Sequence, residues 1–129
     1  MKAVFTLLSG KKLDKNAFIH YLDKKINKTA RHFKLKPGKD KIYCLDDAAI
    51  DIIYALMSHG KQKIRKSAFL FCLKKELELF AGLKGLNFNF QKYSGLKLKI
   101  SEMLDELEKK HPEIKYSIVH ADEQLQTID

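Results

Sequence analysis

The most regular pattern in the chain runs from Asp14 to Phe33. Phe18, Leu22, Ile26, Thr29, Ala30 and Phe33 recur at the spacing of one helical face. Lys24, Lys25, Asn27, Lys28 and Arg31 occupy the other face, which predicts an amphipathic helix with a basic outer stripe. Asp14 is a suitable N-cap, because a short acidic side chain can accept from an otherwise unpaired amide of the first turn. Pro37-Gly38 supplies the stop. Ahead of this helix, the apolar run Val4 to Leu8 ends at Ser9-Gly10 and suits a buried strand better than a helix.

Lys41 to Leu45 reads as a second short strand. A helix follows, with Asp46 or Asp47 as its cap, Ala49, Ile52, Ile53, Leu56 and Met57 inward, and Gly60 at its end. Lys61 to Lys66 is a basic connector. The apolar run Ala68 to Cys72 leads into a helix through Leu77, Phe80 and Ala81, which Gly85 closes. Residues 87–95 form a loop carrying Phe88, Phe90 and Tyr93. Leu96, Ile100, Met103, Leu104 and Leu107 mark a further helix, broken at His111-Pro112. Pro112 suits a first helical position, so another helix can begin near Glu113. The polar stretch after Asp122 is expected to fray. Helices outnumber strands, and no linker or repeat divides the chain, so residues 1–129 are expected to form one domain.

Charge changes this picture. In 129 residues, 25 Lys and Arg face 16 Asp and Glu, for a net charge of +9. Such an excess favours a polyanionic partner, RNA being the simplest, through phosphate contacts and counterion release. The hydrophobic fraction of 45% is that of a folded globular chain. The two cysteines, Cys44 and Cys72, lie in apolar stretches and are expected to be buried free thiols. No apolar run is long enough to span a bilayer, and Met1 to Leu8 is too short for a secretory signal, so a cytoplasmic location is expected.

Two segments are specific enough to suggest a family. Leu77 to Gly95 contains a helix ending in Leu-Lys-Gly-Leu, then an aromatic loop with Tyr93-Ser94. Met103 to Val119 contains Leu-x-Glu-Leu-Glu-x-Lys-His-Pro, then Lys115-Tyr116-Ser117-Ile118. In order and spacing these resemble the C-terminal half of archaeal-type tRNA 2-thiouridine synthetases. Those enzymes are PP-loop ATP pyrophosphatases of the thiouridylase and two-thiocytidine group. Upstream, Leu45-Asp46-Asp47 with Ala49 resembles the family's Leu-Asp-Asp-Glu-Ala nucleotide-site motif; a helix N-cap explains the same two aspartates. The resemblance covers residues 29–125. It implies an α/β fold, predominantly helical: a partial, Rossmann-like PP-loop domain with few short strands. Half of such a sheet leaves an open edge, to be covered by the N-terminal strand and helix, by a protein partner, or by a second copy in a homodimer.

The departures from the family matter as much. Its Ser-Gly-Gly-x-Asp-Ser phosphate loop has no counterpart; Ser9-Gly10-Lys11-Lys12 lacks the second glycine and the Asp-Ser. The family's iron–sulfur cluster needs a Cys-x-x-Cys pair and a third cysteine before Tyr-Ser, where this chain has Gln91-Lys92. ATP and an iron–sulfur cluster are therefore implied by the family but not expected here, and no metal ligand or catalytic residue is assigned. His120 with Asp122 and Glu123 is better read as a solvated tail than as a metal site, and Asp105 with Glu108 as surface ion pairs.

Three functions remain open. The first is a non-catalytic tRNA-thiolation-related protein that binds tRNA, another RNA or a thiolation partner. The second is one subunit of a split 2-thiolation enzyme whose phosphate loop and metal site lie on another chain. The third is an unrelated small basic nucleic-acid-binding or adaptor domain, which strands not forming a parallel sheet would favour. The candidate RNA-binding residues are Lys61, Lys63, Arg65, Lys66, Lys92, Lys97, Lys99 and Tyr93, with Asp46 and Asp47 as a degenerate nucleotide site.

Overall fold

The computed structural model describes residues 2–34, 42–58 and 67–128, with side chains to 121. In those residues the fold is a helical α/β arrangement. A β-hairpin, β1 (Phe5–Thr6) and β2 (Lys12–Leu13), precedes five helices: α1 (Lys15–Phe33), α2 (Leu45–Met57), α3 (Lys74–Lys84), α4 (Gly95–Lys110) and α5 (Ile114–Ile128).

The strands pair antiparallel, Phe5 with Leu13 and Thr6 with Lys12. The expected buried strand from Val4 to Leu8 is instead a part-exposed first arm of a hairpin, turned at Ser9-Gly10 with Gly10 at φ 90, because it packs on α1 by one face only. The hairpin lies on α1, its Phe5 ring 5.0 Å from that of Phe18. Of the expected strand from Lys41 to Leu45, Lys41 lies outside the described residues, Ile42 makes an isolated parallel bridge to Phe90, and Leu45 already begins α2.

Helix α1 starts as its sequence predicts: the Asp14 carboxylate accepts from the Ala17 amide at 2.8 Å. It ends at Lys34, a left-handed residue at φ 57 whose amide satisfies the Ala30 and Arg31 carbonyls. Pro37-Gly38 and Gly60 lie outside the described residues. Gly85 closes α3 at φ 67. Beyond Asp122, α5 continues to Ile128.

Two apolar clusters form the core. Phe18, Leu22 and Ile26 of α1 meet Ala68, Phe69, Cys72, Leu77 and Phe80 in the first. Leu45, Ala48, Ala49, Ile50 and Ile52 of α2 meet Leu73, Ile100, Leu104 and Val119 in the second. Along α4 only Ile100 and Leu104 are buried; Leu96, Met103 and Leu107, which the periodicity places inward, remain at the surface. Phe88 packs against Phe69, Phe80 and Phe90, so this part of the aromatic loop is an extension of the core.

Phe18 has no exposed surface and joins the hairpin to the first cluster. Replacing it with alanine is expected to destabilise the fold by about 3–5 kcal/mol, read from urea unfolding.

Candidate functional site

Helices α2 and α3 begin side by side. The Leu45 amide donates to the Cys72 carbonyl at 2.9 Å, and the Lys74 amide donates to Asp46 Oδ1 at 2.8 Å. Neither helix has a side-chain cap at its first residue. Instead, the carboxylate of the third helical residue reaches back to the capping amide: Asp47 Oδ2 accepts from Cys44 N at 2.8 Å, and Glu76 Oε1 accepts from Leu73 N at 2.8 Å. This is the acidic half of a capping box. The cap is therefore Cys44, and the Asp46-Asp47 pair lies inside the first turn.

The second oxygen of Asp46 meets the Lys115 ammonium of α5 at 2.6 Å. Lys115 also reaches Asp105 at 2.8 Å and Glu108 at 3.6 Å. Only 3% of Lys115 is exposed. Burial disfavours its charge, but the Asp46, Asp105 and Glu108 carboxylates outweigh that and hold its pKa above the ordinary lysine value. Asp105 and Glu108 are thus not simply surface ion pairs; with Asp46 they surround the nitrogen that ties α5 to α2 and α4.

The next residue, Tyr116, serves the second helix start. Its hydroxyl donates to Glu76 Oε1 at 3.3 Å and accepts from Lys25 Nζ at 3.0 Å. Lys25 also approaches Glu76 at 3.6 Å and lies over the Tyr116 ring. Burial lowers the Lys25 pKa, while Glu76 and Tyr116 raise it further and leave it above the usual lysine range. Burial and the Glu76 charge both push the Tyr116 phenol upward.

A cavity of about 210 Å³ lies beside Asp46. Asp46, Asp47, Glu78, Asp105 and Glu108 line it, against Lys74, Lys75 and Lys115. Two atoms at its wall, the Tyr93 hydroxyl and Glu108 Oε2, are buried without a hydrogen-bond partner. With both Asp46 oxygens engaged and carboxylates outnumbering lysines, these residues do not fit a nucleotide triphosphate. Nor do the cysteines fit a cluster held by three thiolates. Cys44 and Cys72 are fully buried, and burial raises both thiol pKa values, that of Cys72 to about 12. Among the described residues, no group of His, Cys, Asp and Glu is placed to hold a metal ion.

The candidate RNA-binding residues fall into three situations. Lys92 and Lys99 are exposed. Lys97 lies 3.3 Å from Asp51 and over the Tyr54 ring, while Asp51 also accepts from the Tyr43 hydroxyl at 2.8 Å. Tyr93 lines the Asp46 cavity, and its hydroxyl is buried without a hydrogen-bond partner. Lys61, Lys63, Arg65 and Lys66 lie outside the described residues. Sequence reasoning missed Lys115, Lys25 and Glu76. The signal available was the Lys-Tyr pair within the family-like motif and the repeated spacing of an acidic residue three positions after each helix start.

No protein-family model matches the sequence, and comparison with curated proteins finds none similar to it. Among solved structures, the fold is similar to U34-tRNA thiolase NcsA from Methanococcus maripaludis, solved with its 4Fe–4S cluster. The match has a TM-score of 0.54 at 24% identity and covers 85% of this chain. The chain accounts for 43% of that thiolase's length. The expected partial, thiolase-like α/β fold is therefore present. No helix among the described residues is long and apolar enough to cross a membrane.

Two outcomes follow from the buried ions. Lys115→Met leaves Asp46 and Glu108 without their cation and is expected to cost about 3–5 kcal/mol in urea unfolding. Burial raises the Asp47 pKa to about 6. The folded chain thus holds this proton more tightly than the unfolded one. The contribution is full below the ordinary carboxylate pKa and is lost as pH rises through 6. Asp47→Asn should gain stability relative to the parent as pH rises through that window; a difference independent of pH would contradict the assignment.

Proposed function

We propose that the protein is a non-catalytic, tRNA-thiolation-related protein that binds tRNA or another RNA through its basic surface. The fold likeness to a U34-tRNA thiolase carries the reading. The net charge of +9 supplies the affinity for phosphate. The absence of catalysis rests on Asp46 and Asp47, the residues offered by the nucleotide motif. They are engaged by helix amides and by Lys115.

Lys92, before α4, and Lys99, in its second turn, are exposed and can contact a phosphate backbone. By sequence position, Lys61, Lys63, Arg65 and Lys66 add to this charge. Lys97 is held by Asp51 and contributes mainly to the surrounding field.

The split-enzyme reading draws on Asp46 and Asp47, which retain the resemblance to the family's nucleotide motif. In that case another polypeptide supplies the phosphate loop and the cluster. The unrelated-domain reading draws on the pairing of the strands, which among the described residues is antiparallel apart from the Ile42–Phe90 bridge. The fold likeness outweighs it.

Titration with bulk tRNA across a salt series separates these readings when ATP binding is measured alongside. The expected result is tRNA binding without ATP binding, weakening at least about ten-fold between 50 and 200 mM salt. Lys92→Glu with Lys99→Glu should weaken it further and reduce the salt slope by roughly two. Failure to bind tRNA at low salt would falsify the RNA-binding reading; ATP binding by the isolated chain would contradict the non-catalytic one.

A further inference from the structure

A second, larger cleft of about 370 Å³ also borders the α3 start and shares Leu73 and Lys75 with the Asp46 cavity. One wall is the hairpin arm and turn, Phe5 to Ser9. The other is the Tyr21, Lys25, Glu76 and Tyr116 cluster, with Lys75 at the rim.

Its chemistry is unlike that of the Asp46 cavity. The exposed lining is mostly apolar, and Phe5, Tyr21 and Tyr116 are all half-buried, which leaves aromatic surface open to the cleft. Among the lining residues Lys25 and Lys75 outnumber Glu76, and Lys75, which also reaches Glu108 at 3.8 Å, keeps more than half of its side chain exposed. Polar groups are few and mutually oriented. Lys25 donates to the Tyr21 hydroxyl at 3.4 Å and to the Tyr116 hydroxyl at 3.0 Å, and Tyr116 donates onward to Glu76. Along that chain the Tyr21 oxygen accepts, and no described group takes its own proton. The cleft therefore presents a free phenolic donor beside an ammonium, between aromatic side chains, in a volume suited to one nucleoside.

We propose that this cleft seats one unpaired nucleobase of a bound RNA, a base with a carbonyl edge such as uracil or guanine. The base lies against the aromatic side chains, its carbonyl oxygen accepts from Tyr21 and faces Lys25, and Lys75 holds an adjacent phosphate. Single-stranded RNA is recognised through bases that leave the stack and lie on aromatic side chains, and a duplex cannot offer one without unpairing. The proposal rests on the RNA-binding reading above and adds the position and chemistry of a base site.

Two mild substitutions test it. Leu8 lines the cleft and is 62% exposed, so Leu8→Asp alters the wall without touching the core. Tyr21→Phe removes only the hydroxyl. Binding of labelled oligouridylate and of duplex RNA of equal length is measured for the parent and both variants, with thermal melting to verify folding. Leu8→Asp should weaken oligouridylate binding by about ten-fold. Tyr21→Phe should weaken it by about three-fold. Duplex binding should stay unchanged in both. If the parent binds RNA and neither variant loses oligouridylate selectively, the base site is wrong while the RNA-binding reading stands. If the parent binds neither RNA, both are wrong.

Discussion

Helices α2 and α3 start next to each other inside the protein, and each start carries roughly half a positive charge from its unpaired amides. Two like partial charges in a poorly solvated place would oppose the packing that brings them together. Asp46, Asp47 and Glu76 resolve this by accepting from the Lys74, Cys44 and Leu73 amides. Those carboxylates are themselves costly to bury. Lys115 balances Asp46, and Lys25 balances Glu76. The arrangement is thus a nested set of compensations, each needed because of the one before it.

The Lys115-Tyr116 pair completes both halves. Adjacent residues at the start of α5 diverge, one to the α2 carboxylate and one to the α3 carboxylate. This gives a physical reason for a Lys-Tyr-Ser-Ile motif in a chain of this fold: the first two residues fix α5 against both helix starts. It also separates the family-like sequence from the family's chemistry. The same aspartates that resemble a nucleotide motif act here as parts of the scaffold, so a scaffold can retain such residues whether or not a nucleotide is bound.

Much of the fold was legible in the pattern of the chain. The α1 face, the Asp14 cap, the Gly85 stop and the helix after Pro112 all follow from local spacing and capping chemistry. The misses have a common cause in tertiary contacts. Leu96, Met103 and Leu107 have the right spacing to be buried, but α2 and α5 cover only the adjacent strip of α4 at Ile100 and Leu104. Lys41 to Leu45 has strand composition, but α2 already claims Leu45, and the described part of the segment pairs through Ile42 alone. Within the candidate site, Asp46 and Asp47 were visible, while Lys115 and Lys25 were not. A lysine in a mixed sequence gives no sign of burial until its carboxylate partners from other helices are in place.

Cys44 and Cys72 sit at these same helix starts, fully buried, with thiols that stay protonated at neutral pH. A thiol in that state does not react with an alkylating reagent while the helices remain together. Its labelling rate therefore follows the frequency with which the junction opens. The two sulfurs act as native clocks for the cooperativity of the fold: one lies between α1 and α3, the other at the head of α2. Equal rates would mean the whole core opens as one unit, and unequal rates would show which helix leaves first.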